Sequence, residues 1–156
     1  MEEKTLKAQQ TYKTLCTSFD NNGWHYDRHD DDLVITCSMS SDDLPIDHMI
    51  SVLAKQQVVM LLSRLPFTVP KEKALDIAIA VCVINDKLAD GCFDYKMEDG
   101  SVYFRQTTSF LESELGEELF PRMVSIASTT VDAFNDKLFM LVKGMLTIEQ
   151  FLQEQL

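Results

Sequence analysis

Leu65-Pro66-Phe67-Thr68-Val69-Pro70 opens the stretch whose reading decides the fold, and Ile84-Asn85 followed by Gly91-Cys92-Phe93 closes it. Pro70 is placed to start a helix, because its missing N–H is not needed in a first turn. Gly91 is placed to stop one, because glycine takes a left-handed C-terminal position without strain. The predicted helix runs from Pro70 to about Ala89. Projected at about 100° per residue, Ile77, Val81, Ile84 and Leu88 share one face, the stripe expected to meet a sheet. Leu75, Ile79, Cys82 and Val83 fill a neighbouring arc. A surface helix normally carries one apolar stripe, and this one carries nearly two. The second arc is therefore a candidate dimer or partner surface. The alternative is that the N-terminal or the long C-terminal helix of the same chain covers it.

Upstream, residues 3–21 place Leu6, Tyr12, Leu15, Cys16 and Phe19 at a patchy helical period that stops at Asn21-Asn22-Gly23. Residues 24–27 and 33–37 read as two strands around a turn at His29-Asp30-Asp31. Residues 49–54 and 58–62 read as a second hairpin, set apart from the first by Leu44-Pro45. Downstream, 92–97 and 101–108 flank Glu98-Asp99-Gly100, and an Asp-Gly between alternating segments is a strong hairpin signal. Pro121 belongs near the first turn of a long helix. Along it Val124, Ala127, Val131, Phe134, Leu138 and Leu141 form one stripe, with Gly144 as its stop. Thr147 and Gln150 have capping-box spacing for a short terminal helix over about 147–156, a C-terminal extension of a single domain 1–156. Hairpins rather than βαβ crossovers predict an α+β fold, an antiparallel sheet of five to six strands with helices packed on it.

The net charge is -11, from 25 acidic against 14 basic residues. Such a chain is repelled by phosphate backbones and anionic lipid, so neither nucleic acid nor membrane is an expected partner. The longest apolar run, 77–84, is far short of a membrane span. The N-terminus has no signal-peptide core. Cys16, Cys37, Cys82 and Cys92 form no motif and read as buried free thiols of a cytoplasmic protein.

Catalytic constellations are missing from the pattern. His25 and His29 with Asp27 and Asp30-Asp31-Asp32 resemble a metal cluster, but four strand residues span about 13 Å, too far for one ion. His48 stands alone and reads as a surface residue. Ser40-Ser41-Asp42-Asp43 reads as a turn, Cys82 as a protonated thiol, and Glu112, Glu114, Glu117 and Glu118 as a solvated face. No catalytic residue, metal ligand or cofactor-binding residue is assigned, and no enzyme is expected. Two polar residues stand out. Asn85, beside the buried stripe, is placed to bond backbone near a hairpin, and Arg105, on the strand face of Tyr103, to pair with a carboxylate on a neighbouring element.

The ordered set Phe19…Gly23-Trp24…Leu65-Pro66-Phe67-x-Val69-Pro70-x-Glu72-Lys73, then Ile84-Asn85…Leu88…Gly91-Cys92-Phe93, then Asp99-Gly100-x-Val102-Tyr103-Phe104-Arg105 and Gly144-x-x-Thr147 resembles the YbjN family. These are small bacterial proteins described as sensory transduction regulators, with a fold similar to type III secretion chaperones. The resemblance implies a dimeric sheet-and-helix domain without enzymatic activity, and brings no catalytic residue or ligand. The residues that carry it, among them Pro66, Pro70, Asn85, Gly91, Asp99, Gly100 and Arg105, are turn, cap and packing positions. The expected function is a non-enzymatic protein-interaction or regulatory module, chaperone-like and homodimeric. A small-molecule sensor with a pocket between sheet and helices is the alternative.

Overall fold

The computed structural model describes residues 2–41 and 45–155. Helix α1 spans Glu2–Asn21. Strands β1 (Asp27–His29), β2 (Val34–Met39), β3 (Ile46–Leu53) and β4 (Val58–Thr68) follow. A 3₁₀ turn at Lys71–Lys73 leads into α2 (Ala74–Lys87). Strands β5 (Cys92–Lys96) and β6 (Ser101–Ser109) precede α3 (Leu119–Val142) and α4 (Ile148–Gln155). The six strands form one antiparallel sheet in the order β1-β2-β3-β4-β6-β5. The expected α+β fold is present, with six strands, within the five to six expected.

Strand alternation sets the two faces of the sheet. Ile35 and Cys37, Ile46, His48, Ile50 and Val52, Val59, Leu61, Ser63 and Leu65, and Phe104 and Phe93 share one face and are buried. Helices α1, α2 and α3 pack there. α1 buries Ala8, Tyr12, Leu15, Cys16 and Phe19. α3 buries Val124, Ala127, Val131, Leu138 and Leu141, five of the six stripe residues, and Phe134 is half-buried.

Several boundaries differ from the sequence reading. The first strand begins at Asp27, and its turn is moved on to residues 30–33. The second hairpin's strands are longer at both outer ends, 46–53 and 58–68. Pro45 directly precedes β3, while Leu44, Asp42 and Asp43 lie outside the described residues. Pro66 lies inside β4, where a proline normally breaks a strand. It is tolerated because the ladder is interrupted there: Arg64 pairs with Tyr103, and the next partners are Thr68 and Ser101. On the other side β3 pairing has already ended at His48–Ser63. Neither neighbour needs the missing N–H. The helix after Pro70 ends at Lys87, two residues early, and Leu88 is extended.

Two glycines hold close approaches. A Cβ on Gly91 (φ +76°) would come within 2.4 Å of the Phe104 ring, and one on Gly100 (φ +75°) within 2.4 Å of the Val69 carbonyl oxygen. The Val69 N–H donates to Gly100 O at 2.8 Å, so the end of β4 is stitched to the β5–β6 turn. In that turn the Asp99 carboxylate accepts from Ser101 N–H at 2.9 Å. Hydrogen bonds from the Ser101 hydroxyl and from the Ser101 N–H hold the Asp99 carboxyl below the ordinary aspartate range. At the other end Thr147 and Gln150 make the expected reciprocal capping box, at 3.0 and 3.2 Å.

His48 is not a surface residue: it is 2% exposed. Its Nδ1 lies 2.6 Å from Ser63 Oγ and its Nε2 2.9 Å from Ser128 Oγ, tying β3 and β4 to α3. A neutral imidazole supplies one donor and one acceptor, and two hydroxyls match either tautomer. Burial disfavours the imidazolium and lowers the pKa to about 4, against a smaller opposing pull from Asp47. The unfolded chain therefore takes up a proton near pH 6.5 that the folded chain refuses until about pH 4. The contribution of His48 to stability is complete above pH 6.5 and is lost as the pH falls to 4, by about 3 kcal/mol. Urea unfolding of the wild type and His48→Gln at pH 7 and pH 4 should show this loss in the wild type only. Identical pH dependence in the two chains would contradict the assignment.

Candidate interaction surfaces

The second arc of α2 is split by the fold. Leu75 is 70% exposed and Cys82 is exposed, while Ile79 and Val83 are half-buried. The stripe on the other side behaves as predicted, with Ile77, Val81 and Ile84 buried and Leu88 packed against them. Of the two helices expected as cover, α1 lies on α3 and β3, and α3 packs beside α2. The terminal helix α4 also packs on α2, with Lys87 reaching the Gln155 main-chain oxygen. Leu75, Ile79 and Cys82 remain as an apolar strip open to solvent. Cys82 thus differs from the buried thiols expected: Cys16 and Cys37 are buried, Cys92 is half-buried, and all four are free.

Asn85 does what its position implied, twice over. Its Nδ2 donates to Phe93 O at 2.9 Å, and its Oδ1 accepts from Phe93 N–H at 2.7 Å. The ladder explains why. Cys92 and Asp94 turn their backbone groups toward β6, so those of Phe93 point off the sheet edge. The amide of Asn85 stands in for a seventh strand at that point. Arg105 pairs with the neighbouring strand as expected: its Nε is 2.6 Å from Asp94 Oδ2, and its Nη2 is 3.4 Å from Cys92 Sγ. The carboxylate of Asp94 raises the guanidinium pKa further.

A wide groove lies where no binding site was expected. It has a volume of ≈ 800 Å³ and opens on the sheet face opposite the helices. Met49, Leu62 and Tyr103 contribute its apolar wall, and Asp47 and Arg64 its charges, while His25 overhangs it from the approach to β1. Met49 is 38% exposed. These residues sit on the alternate register from the core side chains, so one-sided covering of the sheet leaves them in reach of solvent. Period-two patterning in β3 and β4 carried this information, but only once the strands had been given their full length.

β2 adds a backbone feature. Val52 N–H donates to Leu33 O at 2.9 Å, which makes Leu33–Val52 a hydrogen-bonded pair in the β2–β3 register. By alternation Val34, Thr36 and Ser38 turn their N–H and C=O the other way. β1 pairs with Val34 and Thr36 and stops there. Among the described residues the outward N–H and C=O of Ser38 have no partner, beside the overhang of His25. The Asp-rich turn has its own use: Asp30 accepts from Tyr12 Oη at 2.9 Å and from Arg28 Nε at 2.9 Å. Among the described residues no three His, Cys, Asp or Glu side chains converge to hold a metal. No helix among them is long and apolar enough to cross a membrane.

Asn85→Ala removes both bonds to Phe93 and frees the β5 edge. Two net hydrogen bonds of about 1 kcal/mol each place the expected destabilisation near 2 kcal/mol. Concentration-dependent self-association should accompany it, as an uncapped edge invites pairing. Urea unfolding and light scattering measure both, and an unchanged midpoint would show that the cap is energetically idle.

No curated protein matches the chain. Among solved structures, that of YbjN from E. coli, described as a "putative transcription regulator", is 14% identical, with a TM-score of 0.59 over 81% of this chain and 92% of that one. A chain of the ExsC–ExsE complex gives 15% identity and a TM-score of 0.60 over 83% of this chain and 93% of the matched chain. At such identities the likeness is one of fold, the type III secretion chaperone-like arrangement of sheet and helices. The model of the YbjN family, described as "Putative bacterial sensory transduction regulator", matches residues 11–140. With that span matched out of 156 residues, the chain belongs to the YbjN family.

Proposed function

We propose that this chain is a non-enzymatic protein-interaction or regulatory module of the cytoplasm, chaperone-like and built as one domain, that works as a homodimer. The observation that carries the reading is the uncovered sheet face, where an apolar wall of Met49, Leu62 and Tyr103 adjoins the unpaired backbone of Ser38. An exposed apolar surface rimmed by charge suits a protein partner. An unpaired strand edge beside it suits an extended segment of that partner, which would add main-chain hydrogen bonds to side-chain burial. A structure of this fold has been solved as a complex, ExsC with ExsE. The Leu75, Ile79 and Cys82 strip of α2 is the surface assigned to the second copy, since a two-fold contact buries one apolar patch against itself.

The other readings draw less support. A sensor would need a pocket between sheet and helices. Phe93, Phe104, Ile50 and Leu61 fill that layer, each at most 2% exposed, and the wide groove opens on the other side. An enzyme would need a nucleophile and a base. His48 with Ser63 and Ser128 is such a pairing, yet the imidazole is enclosed, and with a pKa of about 4 it is a poor base at neutral pH.

Two substitutions in the full chain separate the surfaces. Ile79→Glu places a charge in the strip, where desolvation without a partner costs several kcal/mol. It should give a folded monomer by sedimentation, and a folded protein of unchanged mass would remove the assigned dimer surface. Leu62→Glu should leave the mass unchanged and abolish capture of the protein partners that the wild type retains from lysate. Recovery of the same partners by Leu62→Glu would remove the open face from the proposal.

A further inference from the structure

The YbjN match ends at residue 140, so α4 lies beyond the family's common core. Gly144 (φ +69°) ends α3, with Met145 N–H donating to Met140 O at 2.9 Å, and the chain folds back onto α2. α4 has eight residues and a single fully buried side chain, Phe151. Ile148 and Leu152 pack beside it, giving an apolar triplet at i, i+3 and i+4. A helix this short is not stable alone in water, so its helicity depends on its seat.

The seat reads charge as well as shape. Lys87 of α2 donates to the main-chain oxygen of Gln155, a cation at the C-terminal end of the α4 dipole. Lys137 of α3 lies 3.4 Å from the Glu154 carboxylate. Two lysines, Lys87 and Lys137, thus meet an occupant whose own charges, Glu149 and Glu154, are both acidic. Apolar triplet, terminal carbonyl and carboxylate are all recognised without any use of the covalent link to α3.

We propose that the surface of α2 beneath α4, with Lys87 and Lys137 at its rim, is a receptor site for a short acidic amphipathic helix. α4 fills it in cis, and a partner helix of the same pattern enters by displacing α4. The site shares neither lysine with the lining of the open sheet face, and Leu75 is 70% exposed with α4 in place. Its helical, acidic occupant also differs from the extended segment assigned to the sheet.

The probe is a fluorescently labelled peptide with the sequence of residues 145–156, added to the full chain. Phe151→Asp in the chain should release α4 and raise peptide affinity at least tenfold over the wild type, where the site is occupied. Lys137→Glu on that background should lower it again. Equal binding to wild type and Phe151→Asp, or no binding to a folded Phe151→Asp chain, would overturn the proposal. Should Phe151→Asp fail to fold, hydrogen exchange on the wild type decides. α4 amides exchanging at least a hundredfold faster than those of α2 support a displaceable helix. Exchange of both helices at one common rate would make α4 an integral part of the core and end the proposal.

Discussion

Covering the sheet on one side only is the constraint from which the rest of this structure follows. Six antiparallel strands give two faces, and α1, α2 and α3 all lie on one of them. The burial of Ile35, Ile50, Leu61 and Phe104 is the consequence on that side. On the other, Met49, Leu62, Arg64 and Tyr103 are left at the register positions between them. An antiparallel sheet tolerates such asymmetry when its free face is polar. Here that face mixes apolar and charged groups.

The same sheet has two edges, and they are treated differently. At β5 the edge is closed where it runs under α2, because Asn85 supplies both a donor and an acceptor to Phe93. At β1 the closure is partial. A three-residue strand covers Val34 and Thr36 but leaves Ser38 beyond its reach. A short edge strand discourages pairing, and beyond its end the outward backbone groups of Ser38 lie open above the groove. Sheet extension is thus hindered at Phe93 on one side, while on the other an open stretch of edge lies where side chains also offer contacts.

Much of this was legible in the residues themselves. Gly100 was legible as the hairpin turn beside Asp99, whereas Gly91 does not stop α2, whose cap is the extended Leu88, and instead takes its positive φ where it passes close to Phe104. The Thr147–Gln150 box and the α3 stripe were readable because helical spacing is local. Asn85 and Arg105 found partners of the expected kind because a polar group next to a buried stripe must be satisfied. What failed was non-local. Pro66 hid the length of β4, since its tolerance depends on a register shift between two strands distant in sequence. His48 gave no sign of burial, because Ser63 and Ser128, its partners, come from 15 and 80 residues away. The open groove depends on which face receives the helices, a choice that strand patterning alone leaves undecided.

Hydroxyl-radical footprinting of the purified chain at dimer-forming concentration tests the central claim most directly, because it reports solvent access at each side chain. The account predicts that Met49 and Tyr103 on the open face are oxidised readily, while Leu75 and Cys82 on α2 are protected and become reactive on dilution. Protection of Met49 and Tyr103 together with full reactivity of Leu75 and Cys82 would contradict it, placing the contact between copies on the sheet and leaving α2 facing water.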